Sequence, residues 1–307
     1  MITGTIAVCT RNRAAILPQC LASLAGQLAE PDQLETLVVD NGSTDGTAEV
    51  LRQWERAGDR RRVVTESVAG LSRARNAALE AAKGEVVLFV DDDALVPPTW
   101  ARSHLAAYED LAIGMAGGPI GLVWPAGRPE WLGDDLLPWY SVLELGDEAR
   151  PFPGDHGPYG TNMSVRRAAA LDAGGFDPRL GRVGARLLSG EEPDMTRRLT
   201  AAGWSVLYVP AAAVVQQVLP ERMGRRWLLR RGWGQGLTNA RLGLAGDHPG
   251  RRERWRRAVA EARESAACIA ARKEPDRDQL GALVLAVAHA ATAAELARAA
   301  FAREQGP

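Results

Sequence analysis

The first 110 residues alternate between short apolar runs and segments with helical spacing, and few folds accommodate that rhythm. "TIAVCT" is a short strand, and "RAAILPQCLASLAGQ" carries Ile16, Leu17, Cys20, Leu21 and Leu24 on one helical face. Pro18 falls in the first turn of that helix, where a missing N–H costs little. "LETLVVD" is a second strand. The turn-rich "NGSTDGT" follows, and Thr47 is the expected cap of the helix "AEVLRQWERAG". "RRVVTES" is a third strand. "LSRARNAALEAAKG" is a helix with Ser72 as its expected cap and Gly84 as its stop. "EVVLFV", apolar on both faces, is a fourth strand. Strand–helix alternation of this kind implies βαβ units and a mostly parallel sheet flanked by helices. In such sheets ligands bind beyond the strand carboxyl ends. Arg11 and Asn12, Asp40 and Asn41, and the triplet Asp91–Asp92–Asp93 all stand there.

After about residue 110 the alternation fades. "MAGGPIGLVW" reads as a strand. The stretch to Gly160 is aperiodic, rich in Pro and Gly, and holds Trp124, Trp131 and Trp139. "NMSVRRAAALDAGGFD" reads as strand, helix and Gly-Gly stop. "EEPDMTRRLTAAGW" reads as a helix with acids in its first turn. "SVLYVP" and "AAVVQQV" are two more strands, and everything beyond Pro220 is expected to be helical. Within it, a hairpin turn is expected near Pro275. "LGALVLAVAHAATAAELA" falls short of the roughly 20 apolar residues of a membrane span and is expected to be a buried helix.

The formal net charge of -1 gives no general affinity for nucleic acid. Cys9, Cys20 and Cys268 are scattered, so neither a zinc site nor a disulfide framework is expected, and a reducing, cytoplasmic setting fits. "MITGTIAVCT" does not read as a signal peptide. A dinucleotide fold would need G-x-G-x-x-G after the first strand, and a P-loop would need G-K-[ST]. The first strand is followed instead by "TRNRAAIL", without glycine. "GWGQG" lies inside a helical stretch and carries no nucleotide signal.

A nucleotide site built from carboxylates remains. "AVCTRNR", "LVVDNGSTDGT", "GLSRARNAAL", "FVDDDALVPPTW", "GTNMSVRRAAALDAGGFD" and "SGEEPDMTRRL" occur in this order over roughly residues 2 to 240. Together they resemble the serial motifs of family 2 glycosyltransferases with the GT-A fold. The resemblance implies a GT-A catalytic domain over 1–220, with a nucleotide-binding half (1–110) and an acceptor and catalytic half (111–220). A helical region over 221–307 follows, which the resemblance does not reach.

It also implies roles. Asp40 meets the nucleobase, uracil first and thymine second. Thr10, Arg11, Asn12, Asn41, Arg75, Asn76 and Asn162 line the donor site. Asp91 and Asp93 form the D-x-D element. Residues i and i+2 of an extended segment point the same way, so both would reach one ligand. Asp91 lies near the ribose and Asp93 binds Mg²⁺ or Mn²⁺, hard ions that prefer oxygen ligands. Asp92 is expected to be mainly structural. Glu192 is the expected base that takes the acceptor proton, Asp194 the second choice, and Glu191 a holder of the donor sugar. One base suffices for a single displacement with inversion. The family usually has a His after its last strands. Gln216 stands there, so the metal would be loosely held or Arg222 would share its charge-neutralising role.

Two rival functions stay open from sequence: a sugar nucleotidyltransferase, although its glycine-rich loop is missing, and a non-catalytic nucleotide-sugar-binding protein. The acceptor is a hydroxyl on a glycan, a lipid-linked sugar or a small molecule. Residues 221–257 mix basic and apolar side chains. They are either a peripheral contact with an anionic membrane face or a solvated helix packed on the catalytic domain. The helical tail is a candidate dimer contact, active-site cover or stabiliser.

Overall fold

The computed structural model describes residues 3–29, 34–153, 156–184, 187–247, 250–271 and 279–302. The opening alternation holds. β1 (Gly4–Thr10), α1 (Leu17–Ala25), β2 (Leu34–Asp40), α2 (Thr47–Arg56), β3 (Arg61–Thr65), α3 (Leu71–Ala81) and β4 (Val86–Asp91) follow one another as the pattern requires. β1 pairs in parallel with β2 and β4, and β2 with β3. Then come β5 (Ala94–Leu95), α4 (Trp100–Ala107), β6 (Ile113–Gly117), β7 (Ile120–Val123), β8 (Arg150–Pro151), β9 (Asn162–Arg166), α5 (Arg167–Asp172), α6 (Glu191–Ala201), β10 (Ser205–Tyr208) and β11 (Val214–Gln217).

The main sheet has the order β3-β2-β1-β4-β9-β6-β10-β8. β9 runs antiparallel between β4 and β6, and β8 antiparallel to β10, so the sheet is mostly but not wholly parallel. A small second sheet sets β11 between β5 and β7. Strand alternation explains the two-sided apolar pattern of β4. Val86, Leu88 and Val90 enter a core with Leu17, Leu24 and Trp100 on one face. Val87 and Phe89 enter a second core with Ala78, Leu79, Met195 and Leu199 on the other. Each such side chain, fully buried, contributes about 1.5–3 kcal/mol.

Three local expectations change. Thr47 does not cap α2 from outside: the N-cap is Gly46, and Asp45 Oδ1 accepts the Thr47 N–H. Ser72 donates to the Leu180 carbonyl, and Gly70 is the N-cap of α3. Gly84 does not stop that helix either. The chain is already extended at Ala82, and a Cβ at Gly84 would overlap the backbone of Gly4 and Thr5.

The chain divides into two compact units. The first comprises residues 1–125, 141–184 and 191–218 and contains both sheets. The second comprises 126–140, 185–190 and 219–307, so two short segments of the middle of the chain join the helical region. It contains α7 (Arg225–Asp247), α8 (Arg251–Ala271) and α9 (Gln279–Phe301). Here "GWGQG" finds its purpose. A Cβ on Gly232 or Gly236 would strike the Val284 or Ala288 carbonyl of α9, so the glycines let the two helices approach closely. Tyr140 stacks on Trp227 at 5.0 Å, and Arg225 lies 5.4 Å over the Trp131 ring. The expected turn near Pro275 lies outside the described residues. α9 is longer and less buried than its sequence suggested. Its 23 residues are long and apolar enough to cross a membrane, yet 39% of the apolar window is buried.

Candidate functional site

The carboxyl ends of β1, β2 and β4 collect the rim residues of the first unit. β1 ends at Thr10 beside Asp40, and Cys9 is level with Asp91. The aspartate triplet is not an extended segment. Asp91 ends β4, and Asp92 and Asp93 form a turn into β5. The i, i+2 argument for a shared direction therefore fails. What orients the carboxylates is a separate partner for each. Thr161 Oγ1 donates to Asp91 Oδ2 at 2.7 Å. Thr10 Oγ1 donates to Asp92 Oδ2 at 2.7 Å, with Arg13 Nε 3.6 Å from Asp92 Oδ1. Gln216 Nε2 donates to Asp93 Oδ1 at 3.1 Å. Burial, and next the neighbouring Asp93, push Asp92 up to about 7. Burial likewise pushes the nearby Cys9 thiol up to about 12, so it is no nucleophile near neutral pH.

Gln216 thus meets Asp93 with its N–H, because a carboxylate can only accept. Arg222, the other residue considered for that charge, is buried in the second unit, and its carbonyl accepts the Tyr140 hydroxyl at 3.0 Å.

Asp40 is buried. Its Oδ1 accepts the Ser43 N–H at 3.0 Å, and Oδ2 has no partner among the described residues. Arg11 is exposed. Asn12 is also exposed, holds φ 55, and accepts the Thr44 N–H at 2.7 Å. Other expected donor-site residues are spent inside the protein. Asn41 donates to the Glu66 and Val68 carbonyls and accepts the Gly70 N–H. Asn76 grips both the N–H and the carbonyl of Phe176. Asn162 uses all four hydrogen-bonding positions of its amide. It accepts from Trp100 Nε1 and His104 Nε2, and donates to the Pro119 and Ala212 carbonyls. These three side chains shape the rim and have little left for a ligand.

Arg75 is the largest departure. It is 2% exposed, and its Nη1 donates to Glu191 Oε1 at 2.9 Å and Glu192 Oε1 at 3.1 Å. Its guanidinium also lies 5.5 Å from the Phe176 ring centroid. Burial pulls its pKa down, but Glu192 and Glu191 outweigh that and raise it. The two glutamates differ. Glu191 is buried, and its Oε2 has no hydrogen-bond partner among the described residues. Burial, then the Glu192 carboxylate, push Glu191 up to about 7. Glu192 is less buried, and its Oε1 also accepts the Gly160 N–H at 3.0 Å. A Cβ at Gly160 would overlap Arg75 and Glu192, so only glycine brings that N–H so close. Asp194 is committed elsewhere: Arg197 and Arg198 take its two oxygens at 2.9 and 2.8 Å.

Sequence reasoning missed Gly160, Thr161 and Arg13. All three lay inside quoted motifs. Their signal was weak: a small hydroxyl and a glycine just before a strand at the rim. The segment Gly160–Thr161–Asn162 links the two acidic groups, since Gly160 holds Glu192 and Thr161 holds Asp91. It is fixed below by a buried chain in which Tyr108 donates to Ser164, Ser164 meets His104, and His104 meets Asn162.

An α/β unit with this strand order and an acid-lined rim is the GT-A architecture of nucleotide-sugar enzymes. Among solved structures, a Pyrobaculum calidifontis mannosyltransferase, PcManGT, in complex with GDP-Man and Mn²⁺ matches with TM-score 0.58 and 21% identity. The match covers 97% of this chain and 75% of that one. GalNAc-T7 with UDP, GalNAc and Mn²⁺ matches with TM-score 0.58 and 16% identity, covering 78% of this chain and 51% of that one. The profile described as Glycosyl transferase family 2 matches residues 5–173. The succinoglycan biosynthesis protein ExoM of Rhizobium meliloti is 30% identical over 273 residues, 87% of this chain and 83% of that protein. A glucosyl-dolichyl phosphate glucuronosyltransferase of Haloferax volcanii is 29% identical over 252 residues, 78% of this chain and 77% of that protein. The chain belongs to glycosyltransferase family 2. It is a glycosyltransferase that moves a sugar from a nucleotide sugar, as its motifs implied, and the nucleotidyltransferase and non-catalytic readings are set aside.

Proposed function

We propose that this enzyme transfers a sugar from a UDP-sugar, with a dTDP-sugar as second choice, to a hydroxyl acceptor by single displacement with inversion. Glu192 is the base. The observation that carries this reading is the contrast within the glutamate pair. Glu192 Oε1 is fixed by the Gly160 N–H and Arg75, while Oε2 has no hydrogen bond among the described residues. A carboxylate held at one oxygen and open at the other is oriented to receive a proton. Arg75 stabilises the base rather than the donor diphosphate. On the donor side, Asp40 Oδ2 would accept from the ring N–H of the base.

Asp91, the last residue of β4, and Asp93, in the turn that follows, supply hard carboxylate oxygens. No group of three or more His, Cys, Asp or Glu side chains that could hold a metal occurs among the described residues. Two carboxylates nonetheless suit Mg²⁺ or Mn²⁺, which take a few carboxylates and fill their shells with phosphate and water. A bound ion offsets charge on the leaving nucleoside diphosphate. Asp93, steadied by Gln216, and Asp91, steadied by Thr161, would hold it.

A thermal-shift screen of UDP, dTDP and GDP, each with Mg²⁺, Mn²⁺ or chelator, tests the donor assignment. UDP at 100 times its Kd adds about 2.7 kcal/mol of stability, and chelator removes that gain. A gain from GDP alone would refute the choice of base, and a gain insensitive to chelator would remove the metal.

A further inference from the structure

α8 opens with the sequence RRERWRR, and its exposed residues Arg251, Arg252, Trp255 and Arg256 share one helical face. The antiparallel α9 brings Phe301 to the same place. The Trp255 and Phe301 rings meet edge to face at 5.4 Å, and Arg251 lies 5.4 Å over the Phe301 ring. Both rings stay open to solvent, Trp255 at 47% and Phe301 at 63%. With Arg251, Arg252 and Ala300 they line a groove of about 340 Å³. The acid in this turn, Glu253, is engaged by Arg257 at 3.0 Å, whereas Arg252 and Arg256 make no ion pair among the described residues.

We propose that this face of the helical unit docks on an anionic lipid surface. The arginines meet headgroup phosphates, and the Trp255–Phe301 pair sits at the boundary with the acyl chains. Charge complementarity argues for this occupant. Guanidiniums pair with phosphate oxygens, and the amphipathic indole ring favours the interface between headgroups and hydrocarbon. Exposed rings rimmed by unpaired guanidiniums satisfy both layers of such a surface at once. The assignment also narrows the broad basic stretch 221–257. α7 spends Gly232 and Gly236 on α9, Trp227 on Tyr140 and Arg225 on Trp131, and although Arg226 and Trp233 on it are exposed, the paired open rings lie at the start of α8.

The test is co-sedimentation of the full chain with vesicles of phosphatidylcholine alone and of phosphatidylcholine mixed with phosphatidylglycerol. The chain should bind the mixed vesicles, ignore the neutral ones, and let go as salt rises. Each of Arg251→Gln, Arg252→Gln and Arg256→Gln should weaken binding about fivefold. Trp255→Ser with Phe301→Ser should abolish it. Unchanged thermal unfolding and unchanged donor hydrolysis in the same variants show that the fold is intact. Failure to bind mixed vesicles would overturn the proposal, as would equal binding to neutral vesicles or undiminished binding by the triple arginine variant. Binding to an acidic protein without any binding to mixed vesicles would likewise overturn it.

Discussion

The catalytic unit holds two acidic groups, and it treats them differently. The aspartates that follow β4 are met by two threonine hydroxyls, a glutamine amide and the half-exposed Arg13. The glutamates that open α6 share a fully buried Arg75. Neutral donors orient carboxylates without cancelling their charge, whereas a buried guanidinium cancels one charge outright. In the first group Arg13 and a raised pKa fall to Asp92 alone, and Asp91 and Asp93 are met by uncharged donors that leave room for a cation. The second is met within the protein by Arg75, and burial with the Glu192 carboxylate raises Glu191. One cluster is built to receive charge and the other to move a proton.

The largest expected effect removes the balance. Arg75→Met leaves Glu191 and Glu192 without their shared cation and should cost about 3–5 kcal/mol, read by urea unfolding at neutral pH. A loss under about 1 kcal/mol, the scale of an exposed pair, would mean that the glutamates are not paired as described, and the contrast between the two clusters would disappear.

A smaller effect comes from the buried chain that supports the bridge between the clusters. Burial lowers His104 from its ordinary 6.5 to about 4, with the Asn162 bond opposing. As pH falls below 6.5 the unfolded chain takes up the proton before the native one does. Stability from a neutral His104 is thus complete above pH 6.5 and is lost progressively toward about pH 4. The difference is on the order of 3 kcal/mol. Urea unfolding of wild type and His104→Gln across this window should show the steeper decline in wild type. Parallel curves would mean that His104 does not support the bridge as a neutral ring.

Much of this was readable in advance, and the exceptions have physical causes. β1 to β4 were legible because each strand and each helix buries one face against its neighbour in sequence. The antiparallel insertion of β9 between β4 and β6 was not, since that pairing joins residues about 75 positions apart and leaves no local pattern. Arg75 read as a guanidinium lining the donor site, on a helix otherwise recognised by its alanines. Its burial depends on Glu191 and Glu192, more than a hundred residues away. The triplet was legible as a cluster but not as a geometry, because nothing local announces that the chain turns at Asp92. Asn41, Asn76 and Asn162 resembled ligand-binding amides, yet the same amides suit buried backbone groups that need partners.

The division of labour between the clusters is tested most directly by Glu192→Gln. The substitution keeps the shape of the side chain and removes the proton acceptor, so sugar transfer should fall by about 10²–10⁴-fold, while the thermal shift given by UDP stays at the wild-type value. Transfer at the wild-type rate, or loss of UDP binding together with transfer, would contradict the assignment of the proton step to this glutamate.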